Sequence, residues 1–195
     1  SATGAGSSSG NDLTLKKAHQ SMTSYPFRSA LDLRNAITSK EISPVEVVTA
    51  AIDRMQSLEP QLNAFVTQTP ELALSAARAA EKTVMAGEKL GALHGLPISV
   101  KDLISVGGVR QTFGSRVMAE NIAASDAPSV ERIKAAGACI IGTTTTSEFG
   151  CKAVGDSPMT GITRNPWNLG KTPGGSSCGA AASVAAGVTP FALGT

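Results

Sequence analysis

Apolar residues recur at helical spacing through the first half of the chain, and this pattern predicts three helices, over residues 29–40, 43–60 and 69–86. In the first, Leu33 and Ile37 lie four positions apart on one amphipathic face. The second begins at Ser43, where a proline at the first helical position and a capping-box glutamate, Glu46, follow the N-cap. Pro60 is expected to end it. None of these helices carries an evident reactive group.

The pattern changes to alternation near residue 96, which predicts a strand. Three aliphatic residues alternate with three others and place Lys101 on the face opposite the aliphatic side chains: Leu96, Ile98 and Val100 against Pro97, Ser99 and Lys101. Asp126 is then expected to cap a helix that Gly137 closes, and residues 138–142 form a buried apolar strand. Strand, helix and strand at this spacing predict a parallel unit and an α/β fold.

A long polar loop over residues 143–172 leads to a stretch of small residues, Pro173 to Gly187, which predicts a glycine-serine turn and a buried, tightly packed helix. Ser176 and Ser177 stand where that helix begins. Hydroxyls beside the free N–H groups of a helix N-terminus suit chemistry on an anionic or oxyanionic centre, although serines there also serve simply as caps. One more strand is predicted over residues 188–193.

Composition narrows the function classes. The 195 residues are 42% hydrophobic, which is enough for one globular domain, and 17 basic against 15 acidic residues leave a net charge of +2 without a basic block for nucleic acid. No apolar stretch approaches the length of a membrane span, and the first residues lack the charged-then-apolar pattern of a signal peptide. The 3 cysteines form no CxxC pair for zinc. We therefore expect a cytoplasmic protein without a metal site. Residues 1–10 have the composition of a flexible tail or cloning remnant.

A lysine inside so apolar a strand either protects a sheet edge or performs chemistry. Gly95-Leu-Pro-Ile-Ser-Val-Lys-Asp, followed by Gly174-Gly-Ser-Ser, resembles the amidase signature family. Four further motifs extend the resemblance: Ser43-Pro-Val-Glu, Leu62-Asn-Ala-Phe-Val, Asn165-Pro-Trp-Asn and the final Ala192-Leu-Gly-Thr. The resemblance implies helices packed around a central mixed β-sheet, with residues 11–195 as the N-terminal part of a single amidase domain.

The resemblance also implies hydrolysis of carboxylic amides through an acyl-enzyme, by a Ser-cisSer-Lys triad that uses no cofactor. Lys101 would be the general base and Ser176 the bridging serine, supported by Gly174, Gly175 and Ser177. A buried lysine suits this role because burial favours its neutral form. The family's nucleophile is a later serine, expected near position 200. This implies that the chain is truncated before it and that the fragment alone is inactive.

Other interpretations remain open. Gly175-Ser-Ser-Cys-Gly matches the nucleophile elbow of α/β-hydrolases, with Ser177 as nucleophile, but no hydrophobic strand precedes it. Cys178, where the family commonly has glycine, could pair with His94, although a buried structural thiol is the simpler interpretation. Within the family, one alternative is a free-standing amidase that acts on a small-molecule amide and could form a homodimer. Another is the amidase subunit of a glutamine-dependent amidotransferase with partner subunits. A truncated scaffold without activity is the third.

Overall fold

A computed structural model describes residues 25–195. Within that range the helices are α1 (Ala30–Thr38), α2 (Pro44–Leu62), α3 (Pro70–Ala86), α4 (Pro128–Ala135) and α5 (Cys178–Ala185). The strands are β1 (Phe65–Gln68), β2 (Pro97–Lys101), β3 (Cys139–Thr144), β4 (Asp156–Ser157), β5 (Gly161–Ile162) and β6 (Ala192–Leu193). Two short 3₁₀ helices cover Arg116–Met118 and Glu148–Gly150. The predicted tail, residues 1–10, lies outside the described residues.

Four strands form one mixed sheet in the order β1, β3, β2, β6. Strand β3 is antiparallel to β1 and parallel to β2, and β2 is also parallel to β6. Helix α4 connects β2 to β3, so the predicted parallel strand-helix-strand unit is confirmed. A second, two-stranded sheet pairs β4 with β5 inside the long loop.

Helices cover both faces of the sheet. One core cluster joins α1, α2, α3 and α5 to one face, and a second joins α4 and the loop after β2 to the other. Ile98 and Val100 belong to the second cluster, whereas the side chain of Ser99 contacts α5. Because side chains alternate along a strand, Lys101 faces α5 with Ser99, opposite Ile98 and Val100 as predicted. The prediction is wrong for Leu96, which precedes β2 and belongs to the first cluster instead of sharing a face with Ile98.

The predicted start of α2 is confirmed in detail, but its predicted end is wrong. Ser43 Oγ accepts from the N–H of Glu46 at 3.2 Å, and the Glu46 carboxylate accepts from the N–H of Ser43 at 2.9 Å. The helix continues past Pro60 to Leu62. Proline this close to a C-terminus removes only one helical hydrogen bond, and the turn that ends the helix comes at Asn63, whose φ is 48°.

Two further predictions need correction. Asp126 does not cap α4, whose N-cap is Ala127. The Asp126 carboxylate instead accepts from the N–H of Gly107 at 2.7 Å and from Lys134 Nζ at 2.7 Å, so it ties the loop after β2 to the helix. The last strand is limited to Ala192–Leu193, because only that part pairs with β2. Among the helices of residues 25–195, none is long and apolar enough to cross a membrane.

Candidate active site

Lys101 is the last residue of β2, and its side chain is fully buried at 0% exposure. The amine Nζ donates hydrogen bonds to Ser176 Oγ at 2.7 Å and to Thr195 Oγ1 at 2.6 Å. Burial lowers the pKa of Lys101, because removal from water disfavours the charged ammonium. The structure thus buries Lys101 and brings it together with Ser176, the other predicted catalytic residue.

The glycine-serine turn brings Ser176 to the lysine. The peptide bond between Gly175 and Ser176 is cis, and Gly174 has a φ of 85°, which favours glycine. Gly175 lies directly against the backbone of Val154, and a Cβ there would stand 2.4 Å from the Val154 carbonyl oxygen. Gly174 therefore satisfies a conformational requirement of the turn, and Gly175 satisfies a steric one.

Ser177 precedes α5 but does not cap it, since its side chain makes no hydrogen bond to the first turn. Its Oγ instead donates to the carbonyl oxygen of Thr195 at 3.0 Å and accepts from the N–H of Thr195 at 3.2 Å. The interpretation of these serines as simple helix caps is wrong for Ser177. Its hydroxyl fixes Thr195 beside the lysine.

Helix α5 is buried on one side only. Cys178, Gly179, Ala180, Ala182 and Ser183 are buried, whereas Ala181 and Val184 are exposed, so the prediction of a wholly interior helix is only partly met. Gly179 faces the sheet so closely that a Cβ would lie 2.1 Å from the carbonyl oxygen of Ala64. Small residues on the buried side thus set the close approach of helix and sheet.

The Cys178 and His94 pair is not formed. Cys178 Sγ donates to the carbonyl oxygen of Thr145 at 3.2 Å, and His94 Nε2 lies 3.0 Å from the carbonyl oxygen of Ala80. Cys178 is 2% exposed, in keeping with a structural thiol. Likewise, no strand leads into Ser177, which argues against a nucleophile elbow.

Two residues of the site were missed by sequence reasoning. Thr195 belongs to the Ala-Leu-Gly-Thr motif, but nothing in the sequence indicates that its hydroxyl bonds to Lys101. Asp102 follows the lysine, and its buried carboxylate accepts from the N–H of Thr112 at 3.0 Å and from the Thr112 hydroxyl at 2.6 Å. Burial raises the pKa of Asp102, while these bonds act in the opposite direction. Asp102 therefore anchors the loop that follows the lysine strand.

Within the described part of the chain, no group of three or more histidine, cysteine, aspartate or glutamate side chains could hold a metal ion. The arrangement at Lys101 is suited instead to proton transfer. An uncharged amine 2.7 Å from a hydroxyl can accept its proton, and the hydroxyl can in turn accept a proton from a third group. A relay of this kind can activate a weak serine nucleophile.

Comparison with known proteins identifies the family. The family model Amidase matches residues 46–195. The chain belongs to the amidase family. Its mixed sheet with helices on both faces agrees with the fold that the resemblance implied, so both expectations are confirmed.

The chain is similar to several amidase-family proteins, which carry the names of different enzymes. The chain is 43% identical over 169 residues to a glutamyl-tRNA(Gln) amidotransferase subunit of Carboxydothermus hydrogenoformans, covering 87% of the chain and 35% of the relative. It is 45% identical over 166 residues to indoleacetamide hydrolase of Bradyrhizobium diazoefficiens, and the match covers 85% of the chain and 32% of that relative. The solved structure of a bacterial aryl acylamidase of the amidase signature family superposes with a TM-score of 0.81 at 34% identity. The match covers 86% of the chain and 35% of that protein. The chain thus spans about a third of the length of these relatives.

Proposed function

We propose that the protein is an amidase that hydrolyses a carboxylic amide to an acid and ammonia or an amine through an acyl-enzyme. The observation that carries this proposal is the buried Lys101 amine 2.7 Å from Ser176 Oγ, at the end of a strand and beside the glycine-serine turn. Lys101 is the general base and Ser176 the bridging serine. Gly174, Gly175 and Ser177 shape and support the turn.

The proposed relay first takes the proton of the nucleophilic serine and later delivers a proton to the leaving nitrogen. Neutral Lys101 accepts the proton of Ser176 through the nitrogen lone pair while one of its own N–H groups donates to Thr195 Oγ1. Ser176 accepts the proton of the nucleophilic serine, whose oxygen attacks the amide carbon. When the tetrahedral intermediate collapses, the proton returns along the same route to the leaving nitrogen, and water then repeats the cycle on the acyl-enzyme.

The nucleophile in this proposal is the family's later serine, in chain that follows Thr195. Thr195 is held at the site by Lys101 and by Ser177, so chain continuing from it starts beside the lysine. A serine about five residues on would lie within about 18 Å of Thr195 even if the segment were fully extended. In this proposal residues 11–195 are the first part of a single catalytic domain, and residues 1–195 alone are inactive.

Lys101→Ala tests the proposal in protein that includes the chain after Thr195. With 4-nitroacetanilide, benzamide and indole-3-acetamide as substrates, the rate should fall about 10²–10⁴-fold, because the general base is lost. Lys82→Ala, which removes an exposed lysine from α3, is the matched control and should retain full rate. Wild-type turnover by Lys101→Ala would show that Lys101 is not the base.

A second candidate is the amidase subunit of a glutamine-dependent amidotransferase, favoured by the 43% identity to the glutamyl-tRNA(Gln) amidotransferase relative. This function requires partner subunits and glutamine as the ammonia source. Glutamine hydrolysis that appears only with co-purified partners would support it, whereas hydrolysis of simple amides by the isolated protein would support the free-standing amidase. If neither the isolated protein nor the protein with its partners hydrolyses an amide, the remaining interpretation is a scaffold without activity.

We also propose a cytoplasmic location, because Cys139, Cys151 and Cys178 are all free thiols. Oxidising compartments favour paired cysteines. Fractionation of cells that express the tagged full-length protein tests this location.

A further inference from the structure

Three hydroxyl side chains meet in the interior between β2 and α5. Ser99 Oγ lies 2.9 Å from Ser183 Oγ, and Thr189 Oγ1 lies 3.2 Å from Ser183 Oγ and 3.5 Å from Ser99 Oγ. Ser183 Oγ also donates to the carbonyl oxygen of Ala180 at 3.2 Å. Ser99 and Ser183 are 0% exposed and Thr189 is 1% exposed. We call these three residues the hydroxyl cluster.

The hydroxyl cluster joins the two elements that carry the proposed relay. Ser99 lies two residues before Lys101 on β2, and therefore on the same face of the strand. Ser183 belongs to α5, the helix that begins directly after Ser176 and Ser177. A displacement of α5 along β2 would change the distance between the Lys101 amine and the Ser176 hydroxyl.

Other contacts already hold the first turn of α5. The N–H of Gly179 and the thiol of Cys178 both donate to the carbonyl oxygen of Thr145, at 3.1 and 3.2 Å. Ser183 lies further along the helix, beyond the reach of these two contacts. Hydrogen bonds between buried hydroxyls are directional, and a buried hydroxyl that loses its partner is costly. The hydroxyl cluster therefore adds a directional constraint on α5 at Ser183, beyond those at the first turn.

We propose that Ser99, Ser183 and Thr189 are positioning residues that hold α5 on β2 so that Ser176 stays within hydrogen-bond distance of Lys101. They contact no substrate in this proposal and act only through the relay. The expected effect on turnover rests on the proposed amidase function. The effect on the local environment of Lys101 does not.

Thr189 offers a matched pair of substitutions. Thr189→Val keeps the shape of the side chain and removes the hydroxyl, whereas Thr189→Ser keeps the hydroxyl and removes the methyl group. In the full-length protein, Thr189→Val should lower kcat for 4-nitroacetanilide about tenfold with little change in KM, since small misplacements of catalytic groups are costly in rate. Thr189→Ser should stay within about twofold of the wild type, and Ser183→Ala should behave like Thr189→Val.

A second readout follows the lysine itself. In protein with ¹³C-labelled lysine, the Lys101 signal, identified by its loss in Lys101→Arg, is titrated by NMR. Loosening α5 should admit water and move the titration midpoint upward by about half a pH unit in Thr189→Val but not in Thr189→Ser. The titratable groups beside this lysine, Cys178 on α5 and the neighbouring Asp102, are unchanged in both variants. Thr69→Val removes a buried hydroxyl that donates to Ile140 on the β1 side of the sheet, and it controls for general destabilisation.

Equal kcat and equal lysine midpoints for Thr189→Val and Thr189→Ser, with only the melting temperature lowered, would overturn the positioning role. If Thr189→Val does not fold, Ser99→Ala and Ser183→Ala provide the same comparison against Thr69→Val. A wild-type protein without turnover would contradict the proposed function alone, and the lysine titration would still decide whether the hydroxyl cluster positions α5.

Discussion

The core beneath α1, α2 and α3 and the layer between the sheet and α5 are both buried, yet they are built from different side chains. Aliphatic residues such as Leu33, Ile37, Val47 and Met55 fill the first. The second holds polar groups that are also hidden from water, among them Ser99, Lys101, Thr145, Ser183 and Thr189.

Because of this difference, we expect the aliphatic core to determine mainly stability and the polar layer to determine mainly the geometry of the candidate site. Burial of aliphatic side chains contributes about 25 cal/mol per Å² and requires no particular partner. Each buried hydroxyl or amine contributes little net stability and is costly when its partner is missing, so it constrains geometry instead. In our proposal the helices of the first region support the fold, and the polar layer holds the Lys101 and Ser176 pair in place.

The largest expected effect on stability comes from the aliphatic core. Met55→Ala removes a side chain that is 1% exposed and should lower the free energy of unfolding by about 2–5 kcal/mol. Met85→Ala removes one that is 66% exposed and should change it by less than about 0.5 kcal/mol. Urea denaturation measures both. If the aliphatic core contributes stability and not site geometry, the folded Met55→Ala protein should retain wild-type turnover. A loss of kcat in the folded variant would contradict that assignment.

The glycine-serine turn should show the opposite response. Gly175→Ala would force its new methyl against the Val154 backbone, displace Ser176 and lower kcat about 100-fold, with a smaller effect on stability. Gly170→Ala on the same loop is the control, because its methyl would meet only a side-chain oxygen of Asn168 at 3.2 Å. Turnover of Gly175→Ala equal to that of Gly170→Ala would contradict a tight requirement at the turn.

The smallest effect concerns thiols and sharpens the comparison. Each buried region hides one cysteine, Cys139 in the aliphatic core and Cys178 in the polar layer, while Cys151 is exposed. Burial raises the pKa of Cys139 to about 12, so this thiol stays protonated. An aromatic disulfide reagent should therefore modify one thiol of the three rapidly, and Cys151→Ser should remove that phase. Rapid modification that persists in Cys151→Ser would mean that one buried region opens readily.

Local signals in the sequence predicted most of the helices and the lysine strand. The capping box at Ser43, the glycine after α3 and the alternation before Lys101 act over a few residues, so their consequences can be deduced from the sequence alone. The end of α2 and the role of Asp126 were wrong because the partners that decide them, the left-handed Asn63 and the N–H of Gly107, are set by tertiary structure.

In the sequence, only motifs pointed to the candidate site. Lys101 and Ser176 are 75 residues apart, and only the family resemblance connected them before the structure placed their side chains together. The hydroxyl cluster has no such motif, because Ser99, Ser183 and Thr189 are ordinary residues until the fold buries them against each other.

The charge state of Lys101 tests the central claim most directly. The proposed relay requires a neutral amine, so activity should rise with pH as Lys101 loses its proton and fall as the ammonium forms. Titration of the ¹³C-labelled Lys101 signal in the wild-type protein should give a midpoint well below the ordinary lysine value of about 10.4, because the amine is buried. A midpoint at the ordinary value would mean that Lys101 is a charged structural residue and would contradict its role as the base.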